Sequence, residues 1–71
     1  MDLRQIFHAD PEILSGAPVF VGTRVPVQAL LDYLEGGDTI EEFLADYPGV
    51  TRDQAVAFLE EAGRALLAKI A

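Results

Sequence analysis

Thr39-Ile40-Glu41-Glu42-Phe43-Leu44-Ala45-Asp46-Tyr47-Pro48-Gly49-Val50-Thr51-Arg52-Asp53-Gln54 is the stretch whose reading decides the fold. Within it a threonine is twice followed, three residues later, by Glu or Gln. The Thr39 hydroxyl can cap the free amide of Glu42 while that carboxylate reaches back, and Thr51 stands in the same relation to Gln54. Ile40, Phe43, Leu44 and Tyr47 recur at the spacing of one helical face, and Pro48-Gly49 then breaks the helix. One helix therefore ends and another begins inside this stretch, across a tight Pro-Gly turn.

Downstream, Ala55, Phe58, Leu59, Ala62, Leu66 and Ile70 continue an apolar face and predict a long last helix. Gly63 interrupts it at a cost of about 1 kcal/mol relative to alanine, which suggests close packing at that position. Upstream, Pro26 suits the opening turn of a helix, where a missing amide donor costs little. Val27, Leu30, Leu31 and Leu34 form its apolar stripe, Gln28, Asp32 and Glu35 point elsewhere, and Gly36-Gly37 stops it. Still earlier, Pro18-Val19-Phe20-Val21 and Arg24-Val25 flank Gly22-Thr23, the pattern of a hairpin with a type II′ turn. Leu3 to Phe7 reads as a further strand closed by Asp10-Pro11, and Glu12 to Leu14 as a helical turn ended by Gly16. The expectation is a mainly α fold and a single domain over 1–71. A short strand and β-hairpin arm over 1–25 precedes a three-helix helix-turn-helix bundle over 26–71. Three-helix bundles that bind no DNA share this rhythm, so the layout alone does not assign a function.

The composition narrows the choices. A chain of 71 residues buries only about 60% of the surface its unfolded form exposes, so the core is thin and self-association is expected. Cysteine is absent, which removes disulfides and thiolate metal sites as supports. Hydrophobic residues make up 51% of the chain, too many for a disordered acidic tail, yet no apolar run approaches the roughly 20 residues that span a bilayer. The opening Met1-Asp2-Leu3-Arg4-Gln5-Ile6-Phe7 has an early acid and no long apolar run, unlike a secretory or transit segment, so a cytoplasmic location is expected. Twelve acidic against five basic residues leave a net charge of -7. Phosphate contacts need clustered Lys and Arg, so this balance argues against simple polyanion binding and suits a basic protein partner.

Individual side chains offer a few candidates. Arg24, between the hairpin turn and Val25-Pro26, could pair with an internal carboxylate or reach a phosphate. Gln28, Thr51, Arg52 and Gln54 are the other side chains suited to DNA contact, since a recognition helix presents its first turn to base edges; capping alone also explains Thr51 and Gln54. Asp53 among them opposes phosphate. Ile6, Val19 and Val21 of the N-terminal strands, or Gly63, Leu67 and Ile70 of the last helix, are the candidate surface for a homodimer or another protein partner. His8 with Asp10 and Glu12 lacks a second His or a nucleophile, and Gly16 and Gly22 lack the lysine of a phosphate loop. No catalytic constellation, metal site, cofactor site or small-molecule substrate is expected.

From Ile6 to Leu59 the chain resembles the family known as domain of unknown function 433. The resemblance rests on Asp10-Pro11-Glu12-Ile13-Leu14, then Gly16, Pro18 and Gly22-Thr23-Arg24-Val25-Pro26-Val27, followed by Gly36, Glu41-Glu42, Tyr47-Pro48 and Thr51. It implies a homeodomain-like helical core. It also implies an antitoxin role: neutralising a cognate toxin that resembles a PIN-type ribonuclease, with contact to operator DNA as a dimer or complex. Ala17 and Val21 stand where lysine and arginine are frequent in that family, which removes positive charge beside the hairpin. The alternatives are a stand-alone DNA-binding regulator and a structural protein-interaction module.

Overall fold

The computed structural model describes residues 2–70, with the side chain of residue 70 outside the description. The chain opens with a short helix, α1 (Leu3–Ile6), and not with the strand expected there. The cause is local. Asp2 accepts from the Arg4 amide at 2.8 Å while the Gln5 side chain accepts from the Asp2 amide at 3.1 Å, a reciprocal cap that closes one helical turn before the chain extends. Only Phe7–His8 is strand (β1), paired antiparallel with β2 (Val19–Phe20) in the register Phe7↔Phe20 and His8↔Val19.

Between these strands Asp10 accepts from the Glu12 amide at 2.9 Å, and a 3₁₀ turn follows at Leu14–Gly16, two residues later than the turn expected from Glu12. Leu14 and Ser15 are left-handed there, with φ of 47° and 56°, a conformation that costs side chains bearing a Cβ about 1–2 kcal/mol each.

The expected hairpin is present in reduced form. The Thr23 amide donates to the Phe20 carbonyl at 3.1 Å, so Gly22, with φ of 82°, is the third residue of the turn. That is the position where a type II turn demands positive φ, in place of the type II′ expected. The Thr23 hydroxyl donates to the same carbonyl at 2.8 Å and accepts from the Val25 amide at 3.0 Å. Beyond the turn only a single bridge forms, Val19↔Pro26. Its hydrogen bonds are Phe20 amide to Val25 carbonyl and Val27 amide to Pro18 carbonyl, both 3.0 Å. Pro26 thus occupies the non-hydrogen-bonded site, where its missing N–H costs nothing.

Pro26 then serves as N-cap of α2 (Val27–Glu35). Gly37, with φ of 92°, ends this helix. The Asp38 amide reaches back to the Tyr33 carbonyl at 2.9 Å and the Gly37 amide to that of Leu34 at 3.1 Å, the pairing of a Schellman motif. Helix α3 (Ile40–Asp46) begins with the predicted capping box. The Glu42 amide donates to the Thr39 hydroxyl at 3.1 Å and the Thr39 amide to the Glu42 carboxylate at 3.0 Å. Helix α4 (Arg52–Ile70) begins with the second box, Gln54 amide to Thr51 hydroxyl at 3.0 Å and Thr51 amide to Gln54 Oε1 at 3.1 Å.

The fold is thus mainly helical with a small two-stranded antiparallel sheet. Ile6, Val19, Phe20, Leu30, Phe43, Val50 and Ala55 are its buried apolar residues. Phe20 connects the sheet to the helices, its ring 6.1 Å from Phe43 and 5.9 Å from Phe58, edge-on to the latter. Val27, Leu34, Ile40, Leu44, Tyr47, Phe58 and Leu59 pack around the cluster of Phe20, Leu30, Phe43, Val50 and Ala55 as the apolar stripes predict, whereas Leu31 of the α2 stripe is half-buried and lies outside it. The stripe of α4 fails past Leu59, because Ala62 and Leu66 lie in solvent instead of the core. Nineteen residues of helix run about 28 Å, and the small core covers only the first half of that length. Among the described residues no helix is long and apolar enough to cross a membrane.

Candidate partner-binding surfaces

The side chains proposed for DNA contact fall into different environments. Gln54 is 8% exposed, and its amide is fully engaged. Oε1 accepts from the Thr51 amide, and Nε2 donates to the Val21 carbonyl at 3.1 Å and the Gln5 carbonyl at 3.3 Å. One side chain thus ties the start of α4 to α1 and to the turn after β2, and leaves no free amide group for a base edge. Thr51 is exposed, with its hydroxyl given to the cap. Gln28 donates to Asp32 Oδ1 at 3.0 Å, one turn along α2.

Arg52 is exposed and pairs with Glu41 at 2.6 Å, and the Arg52 hydrogen bond holds the Glu41 carboxyl below its ordinary value of 4.5. Arg24 is exposed and, among the described residues, forms no ion pair. The internal bridge expected for it does not form, because the tight turn directs residue 24 outward while Thr23 makes the inward hydrogen bonds. Arg24 still lies on the same edge as the α3–α4 turn, since a Cβ at Gly49 would sit 3.5 Å from the Thr23 methyl.

The expected interface residues also separate. Ile6 and Val19 are fully buried and belong to the core, Ile6 on α1, which packs against α4, and Val19 on β2, bridged on one side to His8 and on the other to Pro26. Val21 is half-buried and is used through its main chain, its amide donating to the Ile6 carbonyl at 3.1 Å. Gly63 and Leu67 line a shallow trough along α4 together with Leu59, Glu60, Arg64 and Ala68. The Ile70 side chain lies outside the described residues. Apart from its own local helix backbone, no atom of the described residues lies within 4 Å of where a Gly63 Cβ would point, so the close packing expected there does not occur among them. Leu66 and Leu67 are 59% and 66% exposed. Periodicity had put Leu66 in the core, and no sequence signal marks where a helix outruns its support.

A second surface is electrostatic. Between Arg24 and Arg52 the chain carries Asp32, Glu35, Asp38, Glu41, Glu42 and Asp46 and no Lys, Arg or His. All six are exposed, on α2, α3 and the turn between them, and Glu41 alone has an ion-pair partner among the described residues. Asp46 accepts from the Tyr33 hydroxyl at 2.6 Å, and that hydrogen bond pushes the Tyr33 phenol well above its ordinary value. Among the described residues no group of His, Cys, Asp and Glu is placed to hold a metal ion, so His8, Asp10 and Glu12 form no such site.

These features define a small helical domain with a short antiparallel ribbon, an acidic helical face and a protruding last helix. The chain belongs to the family described as protein of unknown function (DUF433), whose model matches residues 8–62. It is 35% identical over 51 residues to the uncharacterized protein y4eO of Sinorhizobium fredii (strain NBRC 101917 / NGR234). That match covers 72% of this chain and 23% of the relative, so the chain spans about a quarter of that protein's length. It is also similar to the crystal structure of a DUF433 member protein from Anabaena variabilis ATCC 29413, with a TM-score of 0.70 and 28% identity over 96% of this chain and 70% of that one.

Proposed function

We propose that this chain is a cytoplasmic binding protein of antitoxin type, not a catalyst, and that it neutralises a basic ribonuclease toxin of the PIN type. The observation that carries the reading is the acidic surface of α2, α3 and the turn between them, where six exposed carboxylates stand and, among the described residues, only Glu41 has a basic partner, Arg52. Such a face attracts a positively charged partner and repels nucleic acid, which is the charge logic needed to occlude an enzyme that binds RNA. The family resemblance supplies the toxin-antitoxin context.

Co-expression with the product of the neighbouring gene tests it. The reading predicts that the neighbour arrests growth alone, is silenced by this chain and co-purifies with it. The triple variant Asp32→Asn, Glu35→Gln, Asp38→Asn weakens that association and flattens its salt dependence. A neighbour that neither arrests growth nor co-purifies overturns the reading.

A second reading rests on Arg24, exposed and without an ion pair beside the α3–α4 turn. In that reading the three helices act as a homeodomain-like helix-turn-helix, and the assembled complex contacts operator DNA through Arg24 and Arg52. Arg24→Ala then lowers affinity for upstream duplex similarly across sequences and reduces the salt slope by about one. A gel shift with no retardation by either the chain or its complex removes this reading.

A further inference from the structure

The second half of α4 presents an apolar trough that no described residue covers. Its lining residues form the two rows Leu59-Gly63-Leu67 and Glu60-Arg64-Ala68, each at a spacing of four. Rows of this kind run side by side along one helical face, and a glycine in the middle of one leaves a dip that accepts a knob from a neighbouring helix. Among the described residues no close contact calls for glycine at position 63, since a Cβ there would meet nothing within 4 Å beyond the local helix backbone, and a glycine weakens a helix. Leu67 at its rim is 66% exposed.

The charges on the trough say which occupant it suits. Glu60 lies on the N-terminal side of Gly63 and Arg64 on the C-terminal side, and Arg64, which pairs with Glu61 of its own helix, must share or exchange that partner when a second copy docks. If a second α4 crosses antiparallel with Gly63 facing Gly63 of the other copy, Leu59 of each meets Leu67 of the other. Glu60 of each then comes beside Arg64 of the other, twice over, by the symmetry of a two-fold interface. A parallel two-fold crossing would put the Glu60-Arg64-Ala68 rows of the two copies on opposite flanks, where they form no such pairs. The face is therefore self-complementary in one orientation only. The acidic α2–α3 face contributes nothing to it, so a basic partner can be held at the same time.

We propose that this chain forms a two-fold homodimer through antiparallel packing of the α4 helices about Gly63, with Leu59 and Leu67 as its apolar contacts and reciprocal Glu60–Arg64 ion pairs on its flank. The contact covers about three helical turns from each copy, less than the roughly 1,200 Å² of a standard stable interface, which places it among weak, concentration-dependent associations.

Sedimentation equilibrium of the chain between about 1 and 500 µM reads the dimer directly. Gly63→Gln, which favours the helix and whose Cβ meets no described atom beyond the local helix backbone, raises the dissociation constant at least tenfold while the helical circular dichroism of the monomer stays or increases. Glu60→Arg and Arg64→Glu each shift the chain to monomer, and mixing the two variants restores a dimer of one copy of each. Orientation is read by oxidative cross-linking, which is clean because the native chain has no cysteine. Ala62→Cys joins two copies, whereas Leu59→Cys does so only when mixed with Leu67→Cys. A strict monomer at 500 µM overturns the proposal, as does a dimer unchanged by Gly63→Gln or cross-linking of Leu59→Cys with itself. Toxin neutralisation is measured separately by co-expression, so either result can fail without the other.

Discussion

Replacing Gln54 tests the central tie of the fold. In Gln54→Ala the Val21 and Gln5 carbonyls lose their donor at 3.1 and 3.3 Å, and the Thr51 amide loses the reciprocal half of its cap. A net hydrogen bond contributes about 1 kcal/mol, and a main-chain group left unsatisfied costs a comparable amount. Counting the shorter bond fully, the longer one partly and the cap at a few tenths, the loss is about 2 kcal/mol. A domain of this size has roughly 4–10 kcal/mol in all, so the melting temperature falls by about 10 °C.

Gln54→Glu is the sharper variant. It keeps the shape but aims a carboxylate oxygen at two carbonyl oxygens in a site only 8% exposed. The charged form is disfavoured by burial and by those dipoles, so the folded-state pKa of the introduced carboxyl rises above its unfolded value. Stability is then recovered as pH falls and the protonated acid regains a donor, the reverse of an ordinary ion-paired carboxylate. Urea unfolding followed by circular dichroism at pH 7 and pH 4.5 reads both effects. A Gln54→Ala protein within 0.5 kcal/mol of wild type, or a Gln54→Glu protein no less stable than Gln54→Ala at pH 7, refutes the reasoning.

Three further outcomes follow from the same geometry. Ser15→Gly relieves a left-handed residue with φ of 56° and stabilises by about 0.5–1 kcal/mol after the entropy of glycine is subtracted, a rise of several degrees in melting temperature; a fall would mean that the turn is not left-handed in solution. Phe20→Ala empties the junction of sheet and helices and costs about 3–5 kcal/mol, most of what this domain has, so loss of dispersed amide resonances is expected where a conservative Phe20→Leu retains them. The depressed Glu41 carboxyl adds stability that is fully present above its ordinary value of 4.5 and disappears as pH falls through the lower folded value. An acid titration of wild type against Glu41→Gln should therefore diverge only above about that pH, and divergence that persists at lower pH contradicts the pairing with Arg52.

The parts of the fold that were legible in the sequence are those whose partners lie within four residues. Both threonine capping boxes, the Gly36-Gly37 stop, the Pro48-Gly49 break and the apolar stripes of α2 and α3 rest on local hydrogen bonding and helical periodicity. The Asp2–Gln5 cap has the same local spacing, yet it closes a helical turn where Leu3 to Phe7 reads as a strand. Family membership was legible too, in the ordered run from Asp10 to Thr51.

Tertiary structure decided the uses of residues whose side chains have two possible employments. Gln54 serves its cap and also reaches across 49 residues of sequence to Gln5, which no local pattern discloses. Arg24 faces outward because the turn around Gly22 is type II, Ile6 is core because α1 packs against α4, and Val19 is core on the inner strand of the ribbon. The α4 stripe divides after Leu59, with the same apolar spacing buried before it and bare after it. Periodicity records which face of a helix is apolar, but burial depends on how far the rest of a small chain can reach to cover it.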